Sequence, residues 1–428
     1  MNESHASAEL APATKAANRS LTAAALDLPV DPLVKPARVP RVTGTPALQL
    51  LASLIVSMLA ASAAPTPLYA IYQRQWGFTP ITTTVVFGVY AVAVLSTLLV
   101  AGRLSDYAGR RPVLLGALAV QVVALLVYAS ASGVVELTAA RVIQGLSTGA
   151  ALGAIGAGML DISRERGTLA NALSPGIGTG SGALLSALFV QFLPAPTHLI
   201  YLVLAGVVVV QAAGVALLRE TVTTGRIPAS ALVPEVRLPQ AVRGPIFAAA
   251  PVLFAVWALA GLYGALGPSL VQTLTGSSNV VLGGASMTVL AGTAVVSVYL
   301  LRNAAARSVM LTGIGALVAG VAITLVALST GSAALFFVGT AVSGIGFGSG
   351  FQGGIRTVVP LAAPHERAGV LSLLFVVSYL GMGVPAVAAG FLAVHGAGLT
   401  GAARDYCVAL IVLAALALAA LARTRRAH

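Results

Sequence analysis

The sequence predicts an all-α polytopic membrane protein of twelve transmembrane helices in two six-helix bundles, with both termini in the cytoplasm. Three observations predict it: a composition too apolar for a soluble globule, twelve apolar runs of spanning length, and basic residues confined to alternate gaps between them. Of 428 residues, 58% are hydrophobic and 8% charged, which leaves too little polar surface to coat a water-soluble fold of this size. The formal charge of +12 would point to nucleic acid if basic residues clustered on one face among aromatics. They sit in the gaps instead, so topology accounts for them and no nucleic-acid partner is expected. Cys407, the single cysteine, lies in the last run, excludes an intramolecular disulfide and reads as a packing residue.

Residues 1–45 are rich in Ala, Pro and Ser, nearly balanced in charge and without a sustained apolar core. They lack the order of a secretory signal and read as a disordered cytoplasmic tail. A helix needs about 20 apolar residues to cross the hydrocarbon core. Such runs fall near 46–73, 81–101, 112–132, 134–160, 168–193 and 197–218, then near 245–272, 277–301, 308–329, 333–355, 368–394 and 401–422. Between the sixth and seventh, residues 219–244 hold Pro228, Pro234, Pro239 and four arginines, and read as a cytoplasmic linker. The bundles are thus expected at 46–218 and 245–422, with 423–428 a short inner tail. Lys and Arg in short loops resist translocation. With the termini inside, all but three of the 24 basic residues are cytoplasmic; Arg74 and Arg404 lie in outer gaps and Arg141 lies within a span.

The halves resemble each other. Leu104–Gly116 realigns on Leu301–Gly313, with Asn303 in place of Asp106; Gly145 and Gly149 realign on Gly344 and Gly348, and Glu165-Arg166 on Glu366-Arg367. Duplicated six-helix halves related by an axis along the membrane normal are a transporter arrangement.

The gap after the second span, Gly102-x-Leu104-x-Asp106-x-x-Gly109-Arg110-Arg111, carries the most specific pattern in the chain. The fourth span carries Arg141-x-x-Gln144-Gly145-x-x-x-Gly149, and the first ends Ala64-Pro65-Thr66-Pro67-Leu68-Tyr69. With these motifs the chain resembles the major facilitator superfamily over nearly all of residues 46–422, and its drug and metabolite efflux members in particular. It departs from the family at Tyr107, where a basic residue is common, and at Ser174-Pro175-Gly176, where antiporters often carry Gly-Pro-x-x-Gly-Gly. The resemblance implies that Asp106, Arg110 and the start of the eleventh helix form a latch in the outward-open state. It also implies that helices 1, 4, 7 and 10 line a central cavity.

Read on their own chemistry, Gly102 and Gly109 permit tight turns and Asp106 can pair with Arg110 or face a helix N-terminus; a basic loop that only sets topology is the plainer alternative. Arg141, Gln144, Gly145, Thr148 and Gly149 share one helix face. A cation at that depth normally faces a wet cavity or a partner, so Arg141 either binds substrate, tunes a proton site, or holds the bundle through helix carbonyls. Proton coupling calls for a carboxylate that titrates near neutral pH, and no Asp or Glu lies at the centre of a span. Glu136 is the candidate, about 140° round the helix from Arg141; Asp161 reads as part of an inner charge network. Tyr69, Gln144, Trp257, Tyr263 and Gln352, with Tyr90 and Tyr379, are candidate cavity residues. Few charges and several aromatics suit a weakly polar organic solute better than a polyanion. The glycine runs at 176–182 and 344–350 lack the Lys-Ser/Thr of a phosphate loop and read as close-packing stripes.

The expected activity is therefore secondary active export of small organic compounds in an inner membrane, with protons as coupling ion and the chain acting as a monomer. An uptake symporter or facilitator of the same fold is the alternative. A membrane enzyme would need clustered nucleophiles or metal ligands, whereas the five histidines are scattered. No catalytic residue, cofactor or metal is expected.

Overall fold

The structure, a computed structural model, describes residues 42–228, 233–234, 236, 238–363 and 366–424, with side chains as far as 418. The expected tail 1–45 lies, up to residue 41, outside the described residues, as do part of the linker and residues 425–428. Among the described residues twelve helices are long and apolar enough to cross a membrane: Gly44–Trp76, Pro80–Ala101, Arg110–Ser130, Val134–Ile162, Arg164–Phe192 and Pro196–Ala216, then Gln240–Ala265, Val280–Leu300, Ala306–Thr330, Ala333–Leu361, Arg367–His395 and Gly398–Leu418. We number them spans 1–12. With the arginine-bearing gaps taken as cytoplasmic, span 1 runs from inside to outside.

Most ends fall within a few residues of the apolar runs, and the exceptions have local causes. Span 5 starts at Arg164, because Ser163 accepts a hydrogen bond from the Arg166 N–H and Glu165 sits in the first turn; a hydroxyl cap and an early acid both favour helix there. Span 7 starts at Gln240 and carries Pro245 and Pro251 within it, so the linker ends earlier than expected. Its run, expected as one helix to 272, breaks at Leu266 and resumes as Gly267–Thr275. Span 1 breaks likewise into Gly44–Ala63 and Pro65–Trp76. Pro65 and Pro268 lie at the starts of the outer pieces and lack the N–H a continuous helix needs. Each outer piece ends on a left-handed glycine, Gly77 at φ 65° and Gly276 at φ 61°, the usual helix-closing geometry. The duplication thus extends to the bent spans 1 and 7.

Spans 1–6 share an apolar core around Leu54, Ile55, Met58, Leu118, Leu137 and Ile155. The core of spans 7–12, around Leu259, Leu317, Phe336 and Leu410, continues across to Phe87, Tyr90 and Ala91 of span 2. The halves meet where span 2 packs on span 11 and span 5 on span 8. The interface uses small residues: a Cβ at Gly88 would lie 3.1 Å from a Val387 methyl, and Thr288 Oγ1 donates to the Gly180 carbonyl at 3.0 Å. Alternate glycines of each run serve two neighbours. Gly178 and Gly182 bear on span 1 and Gly176 and Gly180 on span 8; Gly344 and Gly348 bear on span 8 and Gly346 on span 9. Close backbone approach is what small-residue stripes supply inside a membrane.

Candidate functional site

Arg141 stands about 10 Å along span 4 from its outer end and is fully buried. Its Nε and Nη2 donate to the Tyr69 hydroxyl at 3.0 and 2.6 Å, and its Nη1 donates to the Ser62 carbonyl at 2.9 Å and Gln144 Oε1 at 3.1 Å. Ser62 and Ala64 present their carbonyls at the break of span 1, where Pro65 and Pro67 carry no N–H to continue the helix ladder. Arg141 takes the first, and Ser186 Oγ donates to the second at 2.6 Å. The Arg141 guanidinium also lies 5.3 Å from the Tyr90 ring centre, 5.6 Å from Tyr69 and 6.0 Å from Tyr128, within reach of cation–π attraction.

The glycines of the motif set this geometry. A Cβ at Gly145 would lie 2.9 Å from the Tyr90 carbonyl and one at Gly149 2.9 Å from Thr97 Cβ, so span 2 is drawn against span 4 and Tyr90 is brought over the guanidinium. Tyr128, on span 3, donates to Gln144 Oε1 at 3.0 Å and stacks on Tyr201 at 4.8 Å; Tyr72 donates to Tyr201 at 3.2 Å. The Gln144 amide nitrogen is buried without a hydrogen-bond partner among the described residues. Sequence reasoning missed Tyr72, Tyr128, Tyr201 and Ser186; three tyrosines near the outer ends of separate apolar runs were the available signal. Glu136 is exposed at the outer end of span 4, and among the described residues no ion pair joins it to Arg141.

At the inner face, Gly109 adopts φ 94°, ψ 151°, a region essentially reserved for glycine. Gly102 stands in the turn after span 2, but at φ −57°, ψ −31° it has torsions that any residue adopts. The close approach here belongs to Gly153 of span 4, where an added Cβ would lie 3.4 Å from the Gly102 carbonyl. Arg110 Nη1 donates to Asp106 at 2.5 Å and Ser105 Oγ at 2.6 Å, and its Nε reaches Asp161 at 3.4 Å. Glu220, read as linker in the sequence, accepts from the backbone N–H groups of Arg110 at 2.9 Å and Arg111 at 3.0 Å, while Thr221 Oγ1 donates to Asp161 at 2.9 Å. The ion pairs of Arg110 stay within the first half. In the second half Arg356 donates to the Leu301 and Ala304 carbonyls at 3.3 and 2.6 Å, so the copy that lacks the acid is tied by carbonyls rather than charges.

Trp257 and Tyr379 meet near the middle of spans 7 and 11, and Gln352 follows Phe351 on span 10. Trp257 lies 5.0 Å from Tyr379 and 5.5 Å from Phe351, ring centre to ring centre, with Phe347 at 6.2 Å; Phe375 lies 6.5 Å from Tyr379. Trp257 and Gln352 are only part-buried as residues, yet the Trp257 indole N–H and Gln352 Oε1 have no partner among the described residues. Tyr379 belongs to the same apolar cluster as Tyr90, which links this aromatic face to the Arg141 cluster. Tyr263 stands apart, accepting from Thr340 at 2.9 Å and packing on Phe336 at 5.7 Å. Its surroundings are those of a packing residue. Between the halves on the outer side lies a pocket of about 430 Å³ bordered by Gln73, Arg74, Thr83, Ser269 and Gln272.

The family model described as Major Facilitator Superfamily matches residues 50–304, more than half of the chain. The chain belongs to the major facilitator superfamily. Solved members of that fold superpose on nearly their whole length. The nucleoside transporter NupG covers 88% of this chain and 99% of its own with TM-score 0.64 at 14% identity. A bacterial homologue of the human lysosomal transporter Spinster, in an inward-facing and occupied conformation, gives TM-score 0.67 at 12% identity, covering 87% and 96%. The human organic anion transporter MFSD10 gives 0.61 at 16%, covering 87% and 98%. At such identities the likeness is one of fold. No curated protein matches the chain in sequence.

Proposed function

We propose that this superfamily member exports small organic compounds by alternating access and proton antiport, acting as a monomer in an inner membrane. The observation that supports the substrate class is the aromatic face of Trp257, Phe347, Phe351, Phe375 and Tyr379, with an unpartnered indole donor and the unpartnered Gln352 acceptor. Such a surface offers stacking area and one donor and one acceptor, which fits a flat, weakly polar solute. Arg141, a buried cation with only neutral acceptors, would disfavour cationic substrates. In this reading the inner network of Asp106, Arg110, Arg111 and Asp161 is the latch, which must engage span 11 when the halves rock outward. Glu136 is the carboxylate assigned to coupling.

A facilitator or uptake symporter of the same fold is the second reading, favoured by one observation: none of the described carboxylates is buried. Efflux from cells against a compound library, for wild type, Asp106→Asn, Arg141→Ala and Trp257→Ala, identifies substrates. Those substrates are then followed in proteoliposomes under an imposed proton gradient. Antiport predicts accumulation driven by opposite proton flux, with a raised KM for Trp257→Ala. Fluxes that ignore the gradient would establish the facilitator.

A further inference from the structure

At the inner ends of spans 1, 3, 4 and 6 the structure forms a partly open cavity of about 170 Å³, remote from the aromatic face. Its wall is divided. Leu51, Leu114 and Ile162 make an apolar side, and Arg110, Arg111 and Arg219 a basic one. Arg110 is engaged by Asp106 and Asp161. The guanidinium groups of Arg111 and Arg219 have no carboxylate partner among the described residues, and Arg111 Nε is buried with no hydrogen-bond acceptor. A buried charged donor left without an acceptor is costly, so each such group in a folded protein calls for an explanation.

The helix N-terminus at Arg110 does not explain it, because Glu220 already accepts from the backbone N–H groups there. Arg219 is held at the rim by a short parallel pairing of the chain before span 1 with the end of span 6: the Val42 N–H donates to Leu217 at 2.9 Å and the Arg219 N–H to Val42 at 3.4 Å. Every lining span contributes its terminal residues, which puts the cavity at the depth of the lipid headgroups rather than of the acyl chains.

We propose that this cavity binds the phosphate-bearing headgroup of an anionic phospholipid of the inner leaflet. Arg111 and Arg219 would hold the phosphate, whose oxygens match the fork of guanidinium donors, and the buried Arg111 Nε–H would gain its acceptor. The glycerol ester would rest on Leu51, Leu114 and Ile162. The cytoplasmic leaflet carries the acidic lipids, and basic pockets between transmembrane helices on that side suit such headgroups. Because Arg110 lines the same cavity, an occupying headgroup would sit directly against the loop network between spans 2 and 3.

The test uses the full-length protein, delipidated in a neutral detergent and then offered phosphatidylglycerol, phosphatidylcholine or inorganic phosphate. Native mass spectrometry reads binding and thermal unfolding gives a second readout. Wild type should retain phosphatidylglycerol in preference to phosphatidylcholine. One basic residue near a membrane surface contributes about fivefold to the binding of an acidic lipid, so Arg219→Gln should lose about that factor and Arg111→Gln with Arg219→Gln several times more. The outer-facing Arg74→Gln should bind as wild type does. Arg219 is exposed, so its variant remains informative if Arg111→Gln fails to fold. Equal binding of the two lipids, or undiminished phosphatidylglycerol on both arginine variants, overturns the site. Inorganic phosphate that stabilises wild type as much as phosphatidylglycerol does overturns the lipid assignment in favour of a free anion.

Discussion

A guanidinium has five N–H donors to satisfy, and Arg141 places four hydrogen bonds on neutral acceptors: two on Tyr69, one on the Ser62 carbonyl and one on Gln144. Among the described residues no carboxylate shares the site, and the charge is stabilised there by dipoles and ring faces. That arrangement makes Arg141 a brace for the bend in span 1. A lysine keeps the charge but carries its three donors on one nitrogen and cannot span Tyr69, Ser62 and Gln144 together. Arg141→Lys should therefore lose two or more hydrogen bonds to a charged group, each worth about 1.5–3 kcal/mol. A clear fall in the thermal midpoint of the detergent-solubilised protein is expected, together with loss of transport. An unchanged midpoint would show that the bend is held by something other than this cluster.

Helices 9 and 10 show how element packing depends on particular glycines. A Cβ at Gly346 would meet the backbone of Leu317 at 2.5–2.7 Å, whereas nothing lies within 4 Å of the corresponding position on Gly315. Both glycines lie in transmembrane helices, and composition alone does not separate them. Gly346→Val should force span 10 off span 9, with an overpacking cost of about 1–3 kcal/mol or more. Gly315→Ala should be neutral within about 0.5 kcal/mol. Thermal unfolding of the two variants side by side checks the pair, and equal effects would refute the packing assignment. The bent spans belong to this scale as well: proline at the start of each outer piece and a left-handed glycine at its end shape spans 1 and 7 alike.

For the whole molecule, glycines mark contacts between halves from the outer parts to the middle of spans 2 and 11: Thr84 with Gly390, Gly88 with Val387 and Ala91 with Gly383. The alternating access proposed above requires this seam to open. The chain's single cysteine, Cys407, is buried, so Cys407→Ser supplies a background in which a new pair can be read without interference. Gly88→Cys with Val387→Cys should form a disulfide on mild oxidation, because the added Cβ lies near a Val387 methyl and bridged Cβ atoms sit about 3.8 Å apart. Transport should stop on oxidation and return on reduction. Full activity of the cross-linked protein would mean that the seam does not part during the cycle.

Apolar run length, the placement of arginines and the internal repeat between residues 104 and 116 and residues 301 and 313 were enough to specify twelve spans and their pairing into halves, because bilayer thickness acts locally on each run of chain. The Asp106–Arg110 pair was legible for the same reason, its partners being four residues apart. Tyr128, Tyr201 and Ser186 at the Arg141 cluster, Glu220 on the loop between spans 2 and 3, and the grouping of Trp257 with Tyr379 were not legible. They are brought together by helix crossings and rotations that no single segment encodes. The break in span 7 lay between the two cases: Pro268 was visible, but a helix can absorb a proline, as span 7 does at Pro245 and Pro251. Sequence by itself determined the number and order of the helices; only the tertiary packing decided which of their few polar side chains meet inside, since that depends on which face each helix turns toward its neighbours.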